Sequence, residues 1–282
     1  MDRINHGLPY TKADDAVLRR SIKDGLRYFE IASLLGRSDG SVKQRARRLS
    51  LRNDEDEHYK RIYSLNDQSF NEVTLESSYW AGFLAADGCI KSNGRGFSLE
   101  LQGTDETHLA KLLSFLQSNA KIAYRSMSIT NHKKLYASVN FTSKQIVDDL
   151  KKNFNITQHK SLTLEPPSLE TINLQMAFVC GVIDGDGSVQ FVRNLRTNRF
   201  SVAVVSASKV FIEWLNNVCS TVLTLKQKTI HQRERLNTIY TIIFYENEAR
   251  QLMRLLYDNL AHDLPLERKK ETVYTAGAYE AG

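Results

Sequence analysis

Apolar and polar positions along the chain change period in a regular order. Residues 8–52 hold three short helical patterns. The first runs from about Lys12 to Asp24, with Thr11 placed as an N-cap and Asp14 and Asp15 in the first turn, where acids suit the helix dipole. Its apolar stripe is Ala16, Val17, Leu18 and Ile22, and Gly25 stops it. A second helix spans about Tyr28 to Leu35 and closes on Gly36. A third begins behind Ser38, turns Val42, Ala46 and Leu49 inward, and carries Lys43, Gln44, Arg45, Arg47 and Arg48 outward. An acidic tract, Asp54 to Glu57, and a polar stretch to Ser69 then read as a linker.

Beyond residue 70 the pattern occurs twice. Residues 80–88 read WAGFLAADG and residues 179–187 read VCGVIDGDG, with the two Asp-Gly ends 99 residues apart. Each ends an apolar helical run expected to start after polar residues, Ser77 and Ser78 in one copy and Asn173 in the other. Period-2 strands follow, with Phe97, Leu99 and Leu101 alternating in the first and Phe200, Val202 and Val204 in the second. Then come helices (104–118; 208–222), further strands (136–142; 238–245), helices again (144–154; 246–260) and the closing segments NITQHKSL and DLPLERKK. The expected boundaries are 1–52 for the helical module, 53–69 for the linker, and 70–167 and 168–282 for the two repeats.

Composition narrows the class. With 282 residues, 41% apolar and 25% charged, the chain is an ordinary globular protein. No apolar run is long enough to span a membrane, and the N-terminus lacks a signal-peptide core. Secretion is therefore not expected; a cytoplasmic, nucleoid-associated place or the compartment of a host genetic element is. Cys89, Cys180 and Cys219 are odd in number without metal-ligand spacing, so free thiols are expected. The net charge of +6 is unevenly placed: residues 1–52 carry 12 Lys/Arg against 6 Asp/Glu, and residues 53–282 carry 26 of each. A basic module on a charge-balanced body suggests an anionic partner, nucleic acid first and a membrane surface second.

The repeated helix end carries the candidate chemistry. Gly82 with Ala86, and Gly181 with Gly185, place small residues four apart on one helix face, which lets two backbones pack closely. If the copies meet there, Asp87 and Asp186 come together at the C-terminal ends, the wrong end of a helix dipole for an anion. Two carboxylates so placed call for a hard divalent cation, Mg²⁺ above all. The string DGDGS is not a calcium loop, because the sixth and twelfth positions an EF-hand needs are Val189 and Leu195.

These residues resemble the LAGLIDADG motif of single-chain homing endonucleases, present twice. The resemblance covers about residues 70–275. It implies an α+β fold of two pseudo-symmetric αββαββα units whose strands form a saddle along double-stranded DNA. It also implies a metal-dependent double-strand break at a long, asymmetric site, with Asp87 and Asp186 as catalytic and metal-binding acids. By the same resemblance Lys160 and Lys269, basic residues in the closing segments, stabilise charge on the phosphate or organise the attacking water, and Gln102 and Ser206 position solvent. The motif's first Asp is Asp184 in copy two and Ala85 in copy one. Because both halves lie in one chain, a monomer is expected.

The string from Pro9 to Leu51 resembles Myb/SANT-like helix-turn-helix domains, which makes the module a small all-α DNA reader. By that resemblance Lys43, Gln44 and Arg47 read bases while Arg37, Arg45 and Arg48 hold phosphates. On the strands Lys91, Arg95, Arg125, Arg193, Arg199, Lys226, Lys228 and Arg233 are DNA-contact candidates, mixed with Tyr136, Asn140, Gln190 and Gln232. Which of them face DNA depends on register, because a one-residue slip changes the face. Two alternatives stay open: a maturase that binds intron RNA, and a transcription regulator with an inactive nuclease body.

Overall fold

A computed structural model describes residues 8–51, 62–129, 132–158, 160–193, 198–234 and 237–277. Contacts divide the chain into two compact units, Met1–Ile62 and Tyr63–Gly282. The acidic tract lies outside the described residues.

The described residues of the first unit form three helices, α1 (Lys12–Lys23), α2 (Tyr28–Leu35) and α3 (Asp39–Arg48). Thr11 and Asp14 close a reciprocal capping box, Ser38 accepts the amide of Ser41, and Gly36 ends α2 at a left-handed φ of 60°. Leu18, Ile31, Ala32, Leu35, Val42 and Ala46 form the core. The expected stripe of α1 is corrected on one side. Leu18, Ser21 and Ile22 share the inward face at helical spacing, and Ala16 and Val17 face solvent.

In the second unit the chain forms α4 (Leu75–Ala86), β1 (Gly88–Ile90), β2 (Gly96–Gln102), α5 (Glu106–Phe115), β3 (Ala123–Ile129), β4 (His132–Thr142), α6 (Lys144–Phe154) and the short α7 (Lys160–Thr163). The order then recurs as α8 (Ile172–Gly185), β5 (Ser188–Arg193), β6 (Asn198–Ser206), α9 (Lys209–Leu223), β7 (His231–Arg233), β8 (Ile239–Tyr245), α10 (Glu246–Asp258) and α11 (Glu267–Thr275). Each copy makes one antiparallel four-stranded sheet, ordered β1-β2-β4-β3 and β5-β6-β8-β7. The fold is thus α+β with an αββαββα unit repeated. Among the described residues no helix is long and apolar enough to cross a membrane.

Two boundaries move from those expected. The motif helices begin at Leu75 and Ile172 behind the caps Thr74 and Thr171, not after Ser77, Ser78 or Asn173. Ser77 and Ser78 are buried within α4, where the Ser77 hydroxyl bonds back to the Glu72 carbonyl and completes the cap with Thr74. Residues 63–69, expected as linker, belong to the second unit. The Asn66 amide donates to the Leu116 carbonyl, and the Thr142 amide to the Tyr63 hydroxyl.

Helices α4 and α8 cross the middle of one continuous core, buried nearly all round. Alternate residues of β2 (Phe97, Leu99, Leu101) and β6 (Phe200, Val202, Val204) cover it. The opposite residues of each sheet face outward.

Candidate active site

The two motif helices meet backbone to backbone. A Cβ on Gly181 would lie 2.0 Å from the Tyr79 carbonyl oxygen, and one on Gly185 would lie 2.5 Å from the Ala86 Cβ. Only small residues permit that approach. The consequence is that both helices end side by side, with Asp87 and Asp186 as their C-cap residues.

Their carboxyls lie within hydrogen-bonding reach of each other. Asp87 is pushed up to about 6 by burial against the helix ends, by the charge of Asp186 and by the hydrogen bond between them. Both residues are nonetheless solvent-accessible, so protein crowds each carboxyl on one side and a ligand can reach it from the other. Of the two lysines, Lys269 opposes the shift of Asp87 more than Lys160 does, whereas Lys160 feels Asp186 more than Asp87. The Asp87 shift is therefore opposed chiefly by the lysine of the other repeat.

The lysines are not surface side chains. Lys160 is buried and donates to the Ala86 carbonyl at 3.0 Å. Lys269, also buried, donates to the carbonyls of Ile183, Asp184, Gly185 and Gly187 at 2.7, 2.7, 2.9 and 2.6 Å. A helix C-terminus leaves its last carbonyls unpaired and carries partial negative charge, and an ammonium there answers both. Burial drives Lys160 down from its usual range, and Lys269 down to about 8, while the nearby acids pull both the other way.

A cavity of about 240 Å³ beside the pair brings Asp186 and Lys160 together with Ser206 and Ala207. The register shows that Gln102 and Ser206 are not equivalents. Cys89 pairs with Ser98 and Ser188 with Ala203, so counting onward matches Gln102 to Ala207 and Ser206 to Leu101. Gln102 is exposed on the outer face, and Ser206 ends the core-facing row. The one-residue offset exchanged faces.

Asp184 has a different place from the paired acids. Fully buried, it accepts from the hydroxyls of Tyr79 (2.8 Å) and Tyr257 (3.0 Å) and from the Leu266 amide (2.9 Å). Burial raises its pKa, and these donors and Lys269 oppose the rise. Tyr79 also meets His108 Nε2 at 3.1 Å, so one polar chain runs from the first repeat to the second through the core. Sequence reasoning missed Tyr79, Tyr257 and His108. The available signal was a lone acid inside an apolar helix, which must find donors.

Several candidate DNA contacts are committed inside the protein. Arg37 is 7% exposed, donates to the Leu8 and Pro9 carbonyls and to Asp14, and stacks on Tyr10. Arg45 forms a fork with Asp15, and Lys43 pairs with Asp39. Burial in these contacts goes against the phosphate-holding role expected of Arg37, whereas Arg45 stays partly exposed beside Asp15. Gln44, Arg47 and Arg48 are exposed on α3. On the first sheet Arg125 faces outward, forks onto Glu100 and lies over Tyr136, while Lys91 and Arg95 lie in the β1–β2 connection. On the second sheet Arg199 and Arg233 lie on the outward rows and Arg193 ends β5, all exposed. Lys226 is exposed before β7. Lys228 turns back over Phe244 and pairs with Glu248, away from the outward face.

The donor set fits a hard divalent cation of the Mg²⁺ type. Among the described residues no three His, Cys, Asp or Glu side chains converge, so the protein would offer two carboxylates. Mg²⁺ is commonly held by one or two carboxylates with water and phosphate completing the shell.

No protein-family model and no curated protein matches the chain. Similar solved structures include the homing endonuclease I-WcaI bound to its DNA recognition sequence, at a TM-score of 0.45 and 13% identity over 71% of this chain and 85% of that one. Another is the N-terminal LAGLIDADG domain of DUF199/WhiA, at 0.42 and 13% over 74% and 96%. The homing endonuclease I-GzeII in complex with its DNA target follows at 0.42 and 11% over 74% and 88%.

Proposed function

We propose that the chain is a site-specific DNA endonuclease of the LAGLIDADG type, which hydrolyses one phosphodiester in each strand of a long, asymmetric duplex. One observation carries the reading: two solvent-accessible carboxyls, one from each repeat, are held together by helices in backbone contact, at a cost in electrostatic energy that the fold alone does not need. Structural acids are normally answered by donors, as Asp184 is. Asp87 and Asp186 are answered by each other.

In this reading Asp87 and Asp186 hold Mg²⁺ against the scissile phosphates. When bound, the ion would supply charge neutralisation at the phosphate and polarise water. Lys160 and Lys269 keep positive charge under the acids from their buried positions and so limit the repulsion. The Asp186–Lys160 cavity with Ser206 is a place for ordered solvent beside one scissile bond. The outward sheet faces would lie on the duplex, with Arg125, Arg193, Arg199, Arg233 and Gln102 among the contacts. Gln44, Arg47 and Arg48 on α3 would extend recognition beyond the nuclease body. One chain carries both halves, so the working form is a monomer.

The test is cleavage of a randomised duplex library in Mg²⁺ by the full chain and by Asp87→Asn and Asp186→Asn. Loss of double-strand cleavage in each variant, with duplex binding kept, is the expected result. Full cleavage by the double variant would remove the assignment. Binding of structured RNA with no DNA cut by the parent chain would move the function to splicing.

A further inference from the structure

The two outward sheet faces differ in chemistry at matched positions. Register aligns them: Cys89 with Ser98 and Asn140 in the first sheet corresponds to Ser188 with Ala203 and Ile243 in the second. The neighbouring row, Glu100 with Ser138, corresponds to Val205 with Thr241, and Tyr136 with Arg125 corresponds to Ile239 with Arg233. Ser98, Glu100 and Asn140 are thus replaced by Ala203, Val205 and Ile243. These side chains do not complete a core: the opposite rows of β6 and β8 do that, while Val205 is 47% exposed, Ala203 and Ile243 are half-buried, and Val192, beyond the Gln190–Ser201 row of the same face, is exposed. A strip of aliphatic groups therefore lies open in the middle of the second sheet.

Its surroundings favour one occupant. Arg199, paired with Val192, and Arg233, paired with Ile239, flank the strip, and β5 begins two residues after Asp186. An aliphatic strip bordered by arginines and continuous with the paired acids suits a polyanion that presents apolar groups at its centre. Double-stranded DNA does so in the major groove, where thymine exposes its 5-methyl between phosphate walls.

We propose that the second sheet reads its half of the duplex through thymine methyl groups, with Val205, Ile243 and Ala203 as the contacting side chains, whereas the first sheet reads by hydrogen bonds. This rests on the nuclease reading above. Because uracil lacks the methyl, the second half also favours DNA over RNA of the same sequence.

The experiment uses the full chain carrying Asp87→Asn and Asp186→Asn, so that bound duplex stays uncut, and selects from a library randomised over about three helical turns. The selected duplex should carry thymines in one half, and replacing each with deoxyuridine should weaken binding there by about four-fold per buried methyl. Deoxyuridine in the other half should have no such effect. Adding Val205→Glu and Ile243→Asn, which copy the first sheet, should abolish the sensitivity while the protein keeps its melting temperature. A specific duplex that tolerates deoxyuridine throughout overturns this inference and leaves the nuclease reading standing. Failure to select any duplex overturns both. A dimer of the chain that Val205→Glu separates would assign the strip to self-association and overturn the inference too.

Discussion

Gly82 lies against the backbone of Phe178: a Cβ on it would stand 2.0 Å from the Phe178 carbonyl oxygen. The reciprocal contact, Gly181 on the Tyr79 carbonyl, is equally short. Two such contacts set the distance between the helices and so the distance between the acids at their ends. Fold and site are here the same geometry.

Gly82→Ala should therefore act on both. The methyl has backbone opposite it and cannot be absorbed by a rotamer change, so the helices must separate, at a cost of about 1–3 kcal/mol. Thermal melts should show the loss, and cleavage should fall further than stability does, because the acids move apart. Gly40→Ala is the control, since nothing lies within 4 Å of its Cβ position. Equal melting and equal cleavage for Gly82→Ala would mean that the seam is looser than the structure has it.

The acid pair predicts a pH dependence. The Asp87 carboxyl titrates at about 6 in the fold against an ordinary 3.8, so the folded state binds its proton more tightly than the unfolded chain. The stabilisation from that proton is complete below 3.8 and lost as pH rises through about 6. Metal-free protein should lose melting temperature across that window, and Asp87→Asn should flatten the slope and melt higher at pH near 8. Mg²⁺ should stabilise the parent protein more at pH about 8 than at about 5, where a proton competes for the Asp87 carboxyl. A parent and Asp87→Asn pair with superimposable pH profiles would argue against a strained acid pair.

The lysines should not be equivalent. Lys269→Met leaves the carbonyls of Ile183, Asp184 and Gly185 at the α8 terminus and of Gly187 just beyond it without that donor, and Lys160→Met leaves the Ala86 carbonyl alone. A charge-assisted hydrogen bond contributes about 1.5–3 kcal/mol, so Lys269→Met should destabilise by at least that and clearly more than Lys160→Met. Urea unfolding of both variants decides it. If the order is reversed, the carbonyl cage around Lys269 is not what holds it.

Much of this was legible in the sequence because it repeats. Two Asp-Gly ends with small residues four apart predicted a close helix pair, and Gly185 facing Ala86 is that seam. The alternation at Phe97, Leu99 and Leu101 placed β2, since a half-buried strand must alternate. What sequence could not supply was anything decided across the fold. Gln102 and Ser206 both suit, by the resemblance, a solvent-positioning place, but the shared reference is the pairing of β1 with β2 and of β5 with β6, which puts Ala207 level with Gln102. Arg37 and Arg45 read as phosphate ligands because a basic stretch looks the same whether its arginines meet DNA or Asp14 and Asp15.

That distinction is measurable in the first unit. Arg37→Ala removes a guanidinium that joins the Leu8 and Pro9 carbonyls to Asp14 inside a small core, so it should unfold or loosen the three-helix module. Gln44→Ala and Arg47→Ala alter exposed side chains of α3 and should leave melting unchanged while weakening duplex binding. Calorimetry alongside binding to the selected duplex separates the two classes. If Arg37→Ala lost binding with its melting intact, the arginine would belong back among the phosphate contacts.

Asp184 and Asp186 stand two residues apart in one motif, and the structure gives them opposite demands. Asp184 meets three donors from both repeats, the Tyr79 and Tyr257 hydroxyls and the Leu266 amide, in a site closed to water. Asp184→Ala strands those donors, and each unsatisfied buried group costs about 1–3 kcal/mol, so the variant should be among the least stable single changes in the second unit. Asp186→Asn, in contrast, relieves a like-charge contact at an accessible position and should melt at or above the parent temperature while losing cleavage. The first repeat carries the same logic in reverse. Ala85 takes the place of Asp184 there, buried at the edge of the cavity that Lys160 and Asp186 line, and Ala85→Asp would add a third carboxyl beside the acid pair, so it should destabilise although it completes the motif. Melting temperatures for the three variants test the assignment directly: a stable Asp184→Ala would break the claim that this acid serves the fold, and a destabilised Asp186→Asn would break the claim that its partner serves chemistry at the fold's expense.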